Sequence, residues 1–225
     1  MAKTYVPYSP IRKNGTNKQR FVEPIASKDD YLTMIKFLHA KSEKKYFLMF
    51  VFGTSFAMRI TDIVNLTWNY FLNPDFSIKD SMWLQESKRH RIKEIPINDF
   101  VKWAIVEYMQ TLSKKGKSFS LTDYVFPSNK GGGVLKITSM CTKFKLLFKQ
   151  AGISPDYNYA THTMRKTAAK DLYDKGYDVW EICKLLGHKS LQETLCYIGI
   201  TKKKVNEMYS GLHDDVLDSL GIDFK

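Results

Sequence analysis

The stretches ATHTMRKTAA (residues 160–169) and LLGHKSLQETLCY (185–197) carry the most informative pattern in this chain. The first places a histidine and an arginine three residues apart on a predicted helix, so their side chains share one face. The second places a tyrosine nine residues after a histidine. On one continuous helix these two would face opposite ways, so we predict a turn around Lys189 and Ser190 that lets them converge. The four residues concerned are His162, Arg165, His188 and Tyr197.

Two further cations complete a set that suits phosphodiester chemistry. Arg59 lies between two predicted helices, and Lys88 begins a basic tip between two predicted strands. A phosphodiester gathers negative charge as it becomes five-coordinate, and guanidinium groups hold its oxygens with paired, charge-assisted hydrogen bonds. A tyrosine with a pKa of about 10 is a weak nucleophile unless a cationic pocket and a nearby base activate it. The order of the six residues therefore indicates cleavage of a phosphodiester without a metal.

Each of these residues also has a structural interpretation. Arg59 and Asp62 can form an ordinary helix pair, although the carboxylate can equally orient the arginine at a site. Tyr197 can be a core aromatic residue. Lys88 can be a solvated turn lysine or a mobile general acid. His162 and His188 lack the further His, Cys or carboxylate ligands that a zinc site requires, so no metal site is predicted.

The charge balance favours a polyanion as the partner. The 225 residues include 35 Lys and Arg against 23 Asp and Glu, a formal charge of +12. Such a surplus is typical of nucleic-acid-binding proteins, although charge alone leaves open a basic protein without that partner. The three cysteines form no C-x-x-C pair, which favours reduced thiols. With no signal peptide and no apolar run long enough for a membrane span, we expect a cytoplasmic protein.

The periodicity predicts a mainly α fold with a small antiparallel β-sheet. The sheet is expected from MWLQES (82–87) and IKEIPI (92–97), and the second strand should end near Pro96. A helix over about 43–57 is apolar nearly all round and is expected at the centre of the core. Ser27 should begin the first helix, which runs to about residue 41. The other helices are predicted near 60–66, 98–114, 136–151, 161–175, 178–186, 190–197 and 214–220.

Two regions of different character are predicted along the chain. Residues 1–26 lack helical or strand periodicity and read as a basic flexible arm, either a solvated tail or one that follows DNA. Residues 27–225 read as one domain that includes the short C-terminal helix 214–220. The arm cations expected to contact DNA are Arg12, Lys13, Lys18 and Arg20. The apolar residues on one side of the C-terminal helix are Val216, Leu217 and Leu220.

With all six residues in place, the chain resembles the tyrosine recombinases, also called the phage integrase family, over residues of about 28–212. VFGTSFAMRITDIVNLTW (51–68) resembles the first family box, with Arg59 as its arginine and Asp62 as its acidic supporter. ESKRHRIKEIPI (86–97) matches the lysine-bearing turn of the family, which singles out Lys88. The motifs quoted above supply His162, Arg165, His188 and Tyr197.

The resemblance implies a tyrosine recombinase catalytic-domain fold over 27–225 and a site-specific recombinase that needs no metal, ATP or other cofactor. Tyr197 would attack a scissile phosphate to form a 3′-phosphotyrosine and release a 5′-hydroxyl. Lys88 would protonate that leaving oxygen, and His162 would assist proton transfer at the tyrosine. The residues implied to stabilise the five-coordinate phosphorus are Arg59, Arg165 and His188.

The resemblance also implies partners. These are double-stranded DNA, further copies of the chain in a tetramer linked through the C-terminal helix, and an accessory DNA-binding protein. The expected location is the bacterial or phage-host nucleoid. Further DNA contacts are expected from the hairpin residues Arg89, His90, Arg91 and Lys93.

The chain departs from the family pattern in three places. FAMR (56–59) stands where the family has Thr-Gly-Leu-Arg, and Lys166 stands where it often has histidine. Arg59 comes too early for the core-binding domain that typical integrases carry, so a short recombinase and a fragment both stay open. Two other functions stay open as well, a DNA-binding regulator and a type IB topoisomerase-like enzyme. The regulator is disfavoured because no catalytic residue is lost, and the topoisomerase because His162 stands where those enzymes tend to have lysine.

Overall fold

The computed structural model of the protein describes residues 22–85, 92–129, 131–153 and 157–200, with residues 206, 209–211, 216 and 219–221 of the C-terminal segment. Its described residues up to 200 form eight α-helices, a 3-10 turn at Trp68–Tyr70 and two strands, and residues 206, 209–210, 216 and 219–220 of the C-terminal segment are helical as well. The predicted fold class is confirmed. The helices are α1 Lys28–Ala40, α2 Lys44–Ser55, α3 Ile60–Ile63, α4 Asp99–Lys114, α5 Ile137–Ala151, α6 Thr161–Asp174, α7 Val179–Leu186 and α8 Leu191–Ile198.

The two strands, β1 Ser81–Gln85 and β2 Ile92–Pro96, pair antiparallel as predicted. Their register runs from Ser81 opposite Pro96 to Gln85 opposite Ile92, so the proline stands at the end of the ladder, where no donor is needed. The residues that join the strands, 86–91, lie outside the described part of the chain.

Helix α2 lies at the centre of the core, as its sequence predicted. Every residue from Tyr46 to Gly53 is buried. The helix contacts α1, α3, α4 and α6, so each side of it meets an apolar neighbour. A helix without a polar face is stable in water only when it is surrounded in this way. Since α2 ends at Ser55, its packing also fixes the segment that carries Arg59.

A second, smaller apolar cluster joins the last three helices. Ala57, which follows α2, packs there against residues of α6, α7 and α8. Small side chains on α6 let α7 and α8 approach closely. This cluster holds together the helix ends that carry the predicted site. Its buried members are Ala57, Ala168, Ala169, Ile182, Leu186 and Ile198.

The described chain begins with a segment that packs against α6. Ile25 is 3% exposed, and its backbone N–H donates to Thr167 Oγ1 at 3.0 Å. The carboxylate of Glu23 accepts from the backbone N–H of Asn158 at 3.0 Å. The arm expected over 1–26 therefore differs from the structure at its end, because residues 22–26 pack on the domain and Ile25 lies in its core. Residues 1–21 lie outside the described part of the chain.

Ser27 caps α1 as predicted, because its Oγ accepts from the N–H of Asp30 at 3.1 Å. Among the described residues, no helix has the length and apolarity needed to cross a bilayer.

Candidate active site

The end of α2 and the start of α6 bring the first site residues together. Arg59 is the N-cap residue of α3, four residues after α2 ends. His162 and Arg165 lie in the first turns of α6. That helix begins where the Ala160 N–H donates to Thr163 Oγ1 at 3.0 Å. Helices α2 and α6 contact each other, so both arginines lie at one end of this helix pair.

The turn predicted between His188 and Tyr197 is present. Helix α7 ends at Leu186 and is capped by Gly187, whose φ of 61° lies in the left-handed region that glycine adopts without strain. Ser190 then caps the start of α8, because its Oγ accepts from the Glu193 N–H at 3.3 Å. The change of direction brings the imidazole ring of His188 to 4.6 Å from the Tyr197 ring, centroid to centroid and edge-on.

Tyr197 is half-buried and contacts His162 directly. Its phenol oxygen lies 3.2 Å from His162 Nδ1. Burial raises the pKa of the Tyr197 phenol, while the nearby charges of Arg165 and Arg59 and a hydrogen bond with Arg165 lower it. The arrangement therefore places a hydrogen-bond partner and two guanidinium groups around the one phenol.

Arg165 is 1% exposed and joins three segments of the chain. Its Nη1 donates to the carbonyl of Ala57 and its Nη2 to the carbonyl of Leu186, the last residue of α7. A helix end leaves a carbonyl such as that of Leu186 without an intrahelical donor, and a hydrogen bond from a charged donor is worth about 1.5–3 kcal/mol. Ala57 itself has a φ of 51°, a conformation that costs a residue with a Cβ roughly 1–2 kcal/mol.

Arg59 carries a buried donor at the site. The residue is partly exposed, but its Nη1 is buried and has no hydrogen-bond partner among the described residues. A buried guanidinium N–H without an acceptor costs free energy, which an anionic oxygen would recover. Asp62, the expected supporter, is 5% exposed in α3, three residues along the chain.

His188 is held in place by a residue that the sequence reasoning missed. The imidazole is buried, and its Nδ1 lies 2.9 Å from Thr194 Oγ1. Its Nε2 lies 3.9 Å from Glu193 Oε1. Thr194 is itself fully buried in the first turn of α8. A threonine six residues after the histidine was the available signal, but its contact depends on the turn before α8.

His162 is exposed to solvent, but its surroundings favour the neutral ring. Partial removal of the ring from water lowers the pKa of His162 below the usual 6.5, and the charges of Arg165, Lys166 and Arg59 lower it further. At pH 7 the imidazole therefore has one nitrogen with a free lone pair, which is the form that accepts a proton.

Lys166 is a second residue whose position the sequence reasoning missed. It is 4% exposed, and its Nζ lies 4.9 Å from the ring centroid of Tyr197. Burial lowers the pKa of Lys166 to about 8, although Cys196 and Glu23 act to raise it. The sequence marked this position only as a departure from the family pattern.

The structure thus brings five of the six predicted residues to one place. Lys93 lies in β2, partly exposed. The other predicted residues lie outside the described part of the chain, namely Lys88, Arg89, His90 and Arg91 of the hairpin and Arg12, Lys13, Lys18 and Arg20 of the arm.

Comparison with known proteins gives consistent matches. The model of the phage integrase family matches residues 25–204. The probable integrase/recombinase YoeC of Bacillus subtilis (strain 168) is 30% identical over 194 residues, which are 85% of this chain and 98% of YoeC. The tyrosine recombinase XerC of Oceanobacillus iheyensis is 27% identical over 168 residues, which are 74% of this chain and 52% of XerC. The chain therefore spans nearly all of YoeC and about half the length of XerC.

Solved structures share the fold. The XerA recombinase has a TM-score of 0.64 at 17% identity, over 84% of this chain and 65% of XerA. A lambda integrase dimer bound to a COC′ core site has a TM-score of 0.58 at 17% identity, over 80% of this chain and 61% of that one. The predicted tyrosine recombinase catalytic-domain fold is confirmed.

Proposed function

Because the chain belongs to the phage integrase family of tyrosine recombinases, we propose that it cleaves and rejoins double-stranded DNA at specific sites, with Tyr197 as the nucleophile. The contact between the Tyr197 phenol oxygen and His162 Nδ1 at 3.2 Å carries this proposal. This contact supports the proposal because Arg165 and Arg59 also lie around the same phenol.

The proposed reaction begins with the loss of the phenol proton. His162 is neutral at pH 7 because its pKa is lowered, so its Nδ1 accepts the proton as Tyr197 attacks. A bond forms from the phenol oxygen to phosphorus, and the bond from phosphorus to the 5′-oxygen breaks. The product is a 3′-phosphotyrosine and a 5′-hydroxyl. A second 5′-hydroxyl reverses the step, so the energy of the phosphodiester is retained in the covalent intermediate.

Positive charge fixed before the reaction stabilises the five-coordinate phosphorus. Arg59 supplies the buried Nη1 donor, and Arg165 supplies a guanidinium that two backbone carbonyls already hold in place. His188 also stabilises the five-coordinate phosphorus, and Thr194 orients its imidazole ring. Lys88 is our proposal for the acid that protonates the leaving 5′-oxygen.

The test of the proposed function is a trapped covalent intermediate. The binding site is first mapped by sequencing the genomic fragments that the purified protein retains. A nicked suicide duplex carrying that site is expected to give a protein–DNA adduct that survives denaturant. Tyr197→Phe should bind the duplex and give no adduct, whereas Tyr177→Phe, a control at an exposed tyrosine, should behave like the wild type. An adduct that persists in Tyr197→Phe overturns the assignment, and binding without any adduct favours the regulator.

Assembly on DNA is a separate part of the proposal. Val216 and Leu220 of the C-terminal segment are 43% and 64% exposed, which leaves apolar surface for a second copy of the chain. We assign this segment to contacts within a tetramer on DNA, in the nucleoid, with an accessory DNA-binding protein as a further component. Truncation after Leu212 should weaken assembly on two-site DNA in sedimentation experiments and leave cleavage of a single site intact. Unfolding of the truncated chain would overturn this role.

A further inference from the structure

Lys166 occupies an unusual place for a lysine. It follows Arg165 on α6 and is 4% exposed, and lysine is among the residue types that are least often fully buried. Its Nζ lies over the ring of Tyr197, 4.9 Å from the centroid. Cations within about 6 Å of an aromatic centroid are attracted to the ring face, and the attraction grows as the pair is removed from water.

The surroundings of Lys166 make its charge costly. Cys196 of α8 and Glu23 of the first described segment favour the ammonium form, yet burial outweighs both and lowers the pKa to about 8. The Glu23 carboxylate is also engaged by the Asn158 N–H. Below pH 8 the fold therefore keeps a charge in a place that disfavours it, which is typical of groups retained for function at the expense of stability.

We propose that Lys166 is a positioning residue for the nucleophile, whose ammonium group holds the Tyr197 ring by its face. The inference rests on the proposed role of Tyr197. As the phenol loses its proton the ring becomes more negative, so the attraction to the ammonium group is stronger in the transition state than in the resting enzyme. An interaction that strengthens in this way raises the rate of attack rather than binding alone.

Several titratable and charged groups surround Lys166 and the Tyr197 ring, so the effect of the Lys166 charge has to be separated from theirs. Tyr197, Cys196 and Glu23 face Lys166. The titratable and charged groups that face Tyr197 besides Lys166 are His162, Arg165, Arg59, His188 and Glu193. Substitutions at Lys166 alone separate its contribution from theirs, since each of the other groups stays in place.

The first test observes the ring without any reaction. The protein is labelled with ¹³C-tyrosine, and the signal of Tyr197 among the 13 tyrosines is assigned by its disappearance in Tyr197→Phe. In the wild type that signal should shift with a midpoint near pH 8, as Lys166 loses its proton. The shift should persist in Lys170→Met, which removes a lysine one turn further along α6, and vanish in Lys166→Met and Lys166→Arg. Absence of a wild-type shift that both Lys166→Met and Lys166→Arg abolish overturns the proposal, whether or not the protein cleaves DNA.

The second test measures the rate of adduct formation on the suicide duplex. Lys166→Met should be slower than the wild type by about 2- to 30-fold at pH 7, the range expected when a cation–π interaction is removed. Lys166→Arg keeps the charge at every pH, so it should restore most of the rate. Its rate relative to the wild type should rise above pH 8. Equally slow reaction in Lys166→Arg and Lys166→Met, or an unchanged rate in Lys166→Met, would show that the charge does not act on the nucleophile.

Discussion

Gly53 of α2 meets Met164 of α6 so closely that a Cβ built on the glycine would lie 2.6 Å from the Met164 Cβ and 2.9 Å from its sulfur. The Met164 Cβ is fixed to the backbone, so it cannot swing aside. The absence of a side chain at Gly53 therefore sets how closely α2 and α6 approach. These helices hold Arg59 on one side and His162 and Arg165 on the other, so the geometry of the site depends on this contact.

Gly53→Ala should destabilise the protein by up to about 2 kcal/mol, because overpacking costs about 1–3 kcal/mol and the better helix propensity of alanine offsets about 1 kcal/mol of it. The urea midpoint measures the decrease in stability. Gly133→Ala is the matched control, since that glycine has nothing within 4 Å of the added Cβ. If the urea midpoint of Gly53→Ala were higher than that of the wild type, α2 and α6 would be able to move apart without a loss of stability.

The pH dependence of adduct formation should report the state of His162. Its pKa lies below 6.5 because the ring is partly removed from water beside three cations, so on the acid side the wild-type rate should fall as the pH drops through that lowered value. Protonation removes the lone pair that accepts the phenol proton. His162→Ala should be slower by about 10²- to 10⁴-fold and should lose this acid limb. An acid limb that survives in His162→Ala belongs to another group.

Lys166→Met should stabilise the fold at pH 7 by about 1–3 kcal/mol. The pKa of Lys166 is about 8 in the folded protein, below its ordinary value of 10.5, so the unfolded chain binds more protons between these two values. Wild-type stability therefore rises with pH across that window, and the advantage of methionine should shrink above pH 8. Urea unfolding at pH 7 and pH 10 measures both effects, with Lys170→Met as the control. If Lys166→Met were more stable than the wild type by the same amount at pH 7 and at pH 10, the predicted direction of the pH dependence would be contradicted.

The basic arm should bind DNA phosphates. Removal of residues 1–21, which include Arg12, Lys13, Lys18 and Arg20, should flatten the plot of log K against log salt by about 0.9 for each phosphate that the arm neutralises. The deletion stops before Glu23 and Ile25, because both are bound to the domain. Filter-binding titrations from low to high salt give the slope. An unchanged slope would show that the arm is a solvated tail.

The role of Lys88 as the acid is tested by the chemistry of the leaving group. A 5′-oxygen needs a proton as it leaves, so Lys88→Ala should cleave ordinary DNA about 10²- to 10⁴-fold more slowly. A 5′-bridging sulfur is a weaker base and needs no proton, so the same variant should be nearly normal on that substrate. Arg165→Ala should be impaired on both. If the sulfur substrate restores cleavage by Lys93→Ala or Arg91→Ala and not by Lys88→Ala, the general acid is that other residue of the hairpin.

The sequence alone determined the local features of this protein. The bounds of most helices, the Ser27 cap and the turn before α8 depend on side chains within a few residues of one another, and they agree with the structure. The spacing also predicted that His162 and Arg165 share one helix face and that a turn lets His188 and Tyr197 converge, because helix faces and short turns follow from residue spacing.

Only the tertiary structure decided the contacts between distant segments. Arg165 donates to carbonyls 108 and 21 residues away in the chain, and Ile25 bonds to Thr167 across 142 residues. The cost of the buried Lys166 charge and the need for a glycine opposite Met164 likewise arise only when α6 has packed. Residue spacing does not predict such contacts, because burial and the approach of two backbones depend on the whole folded chain.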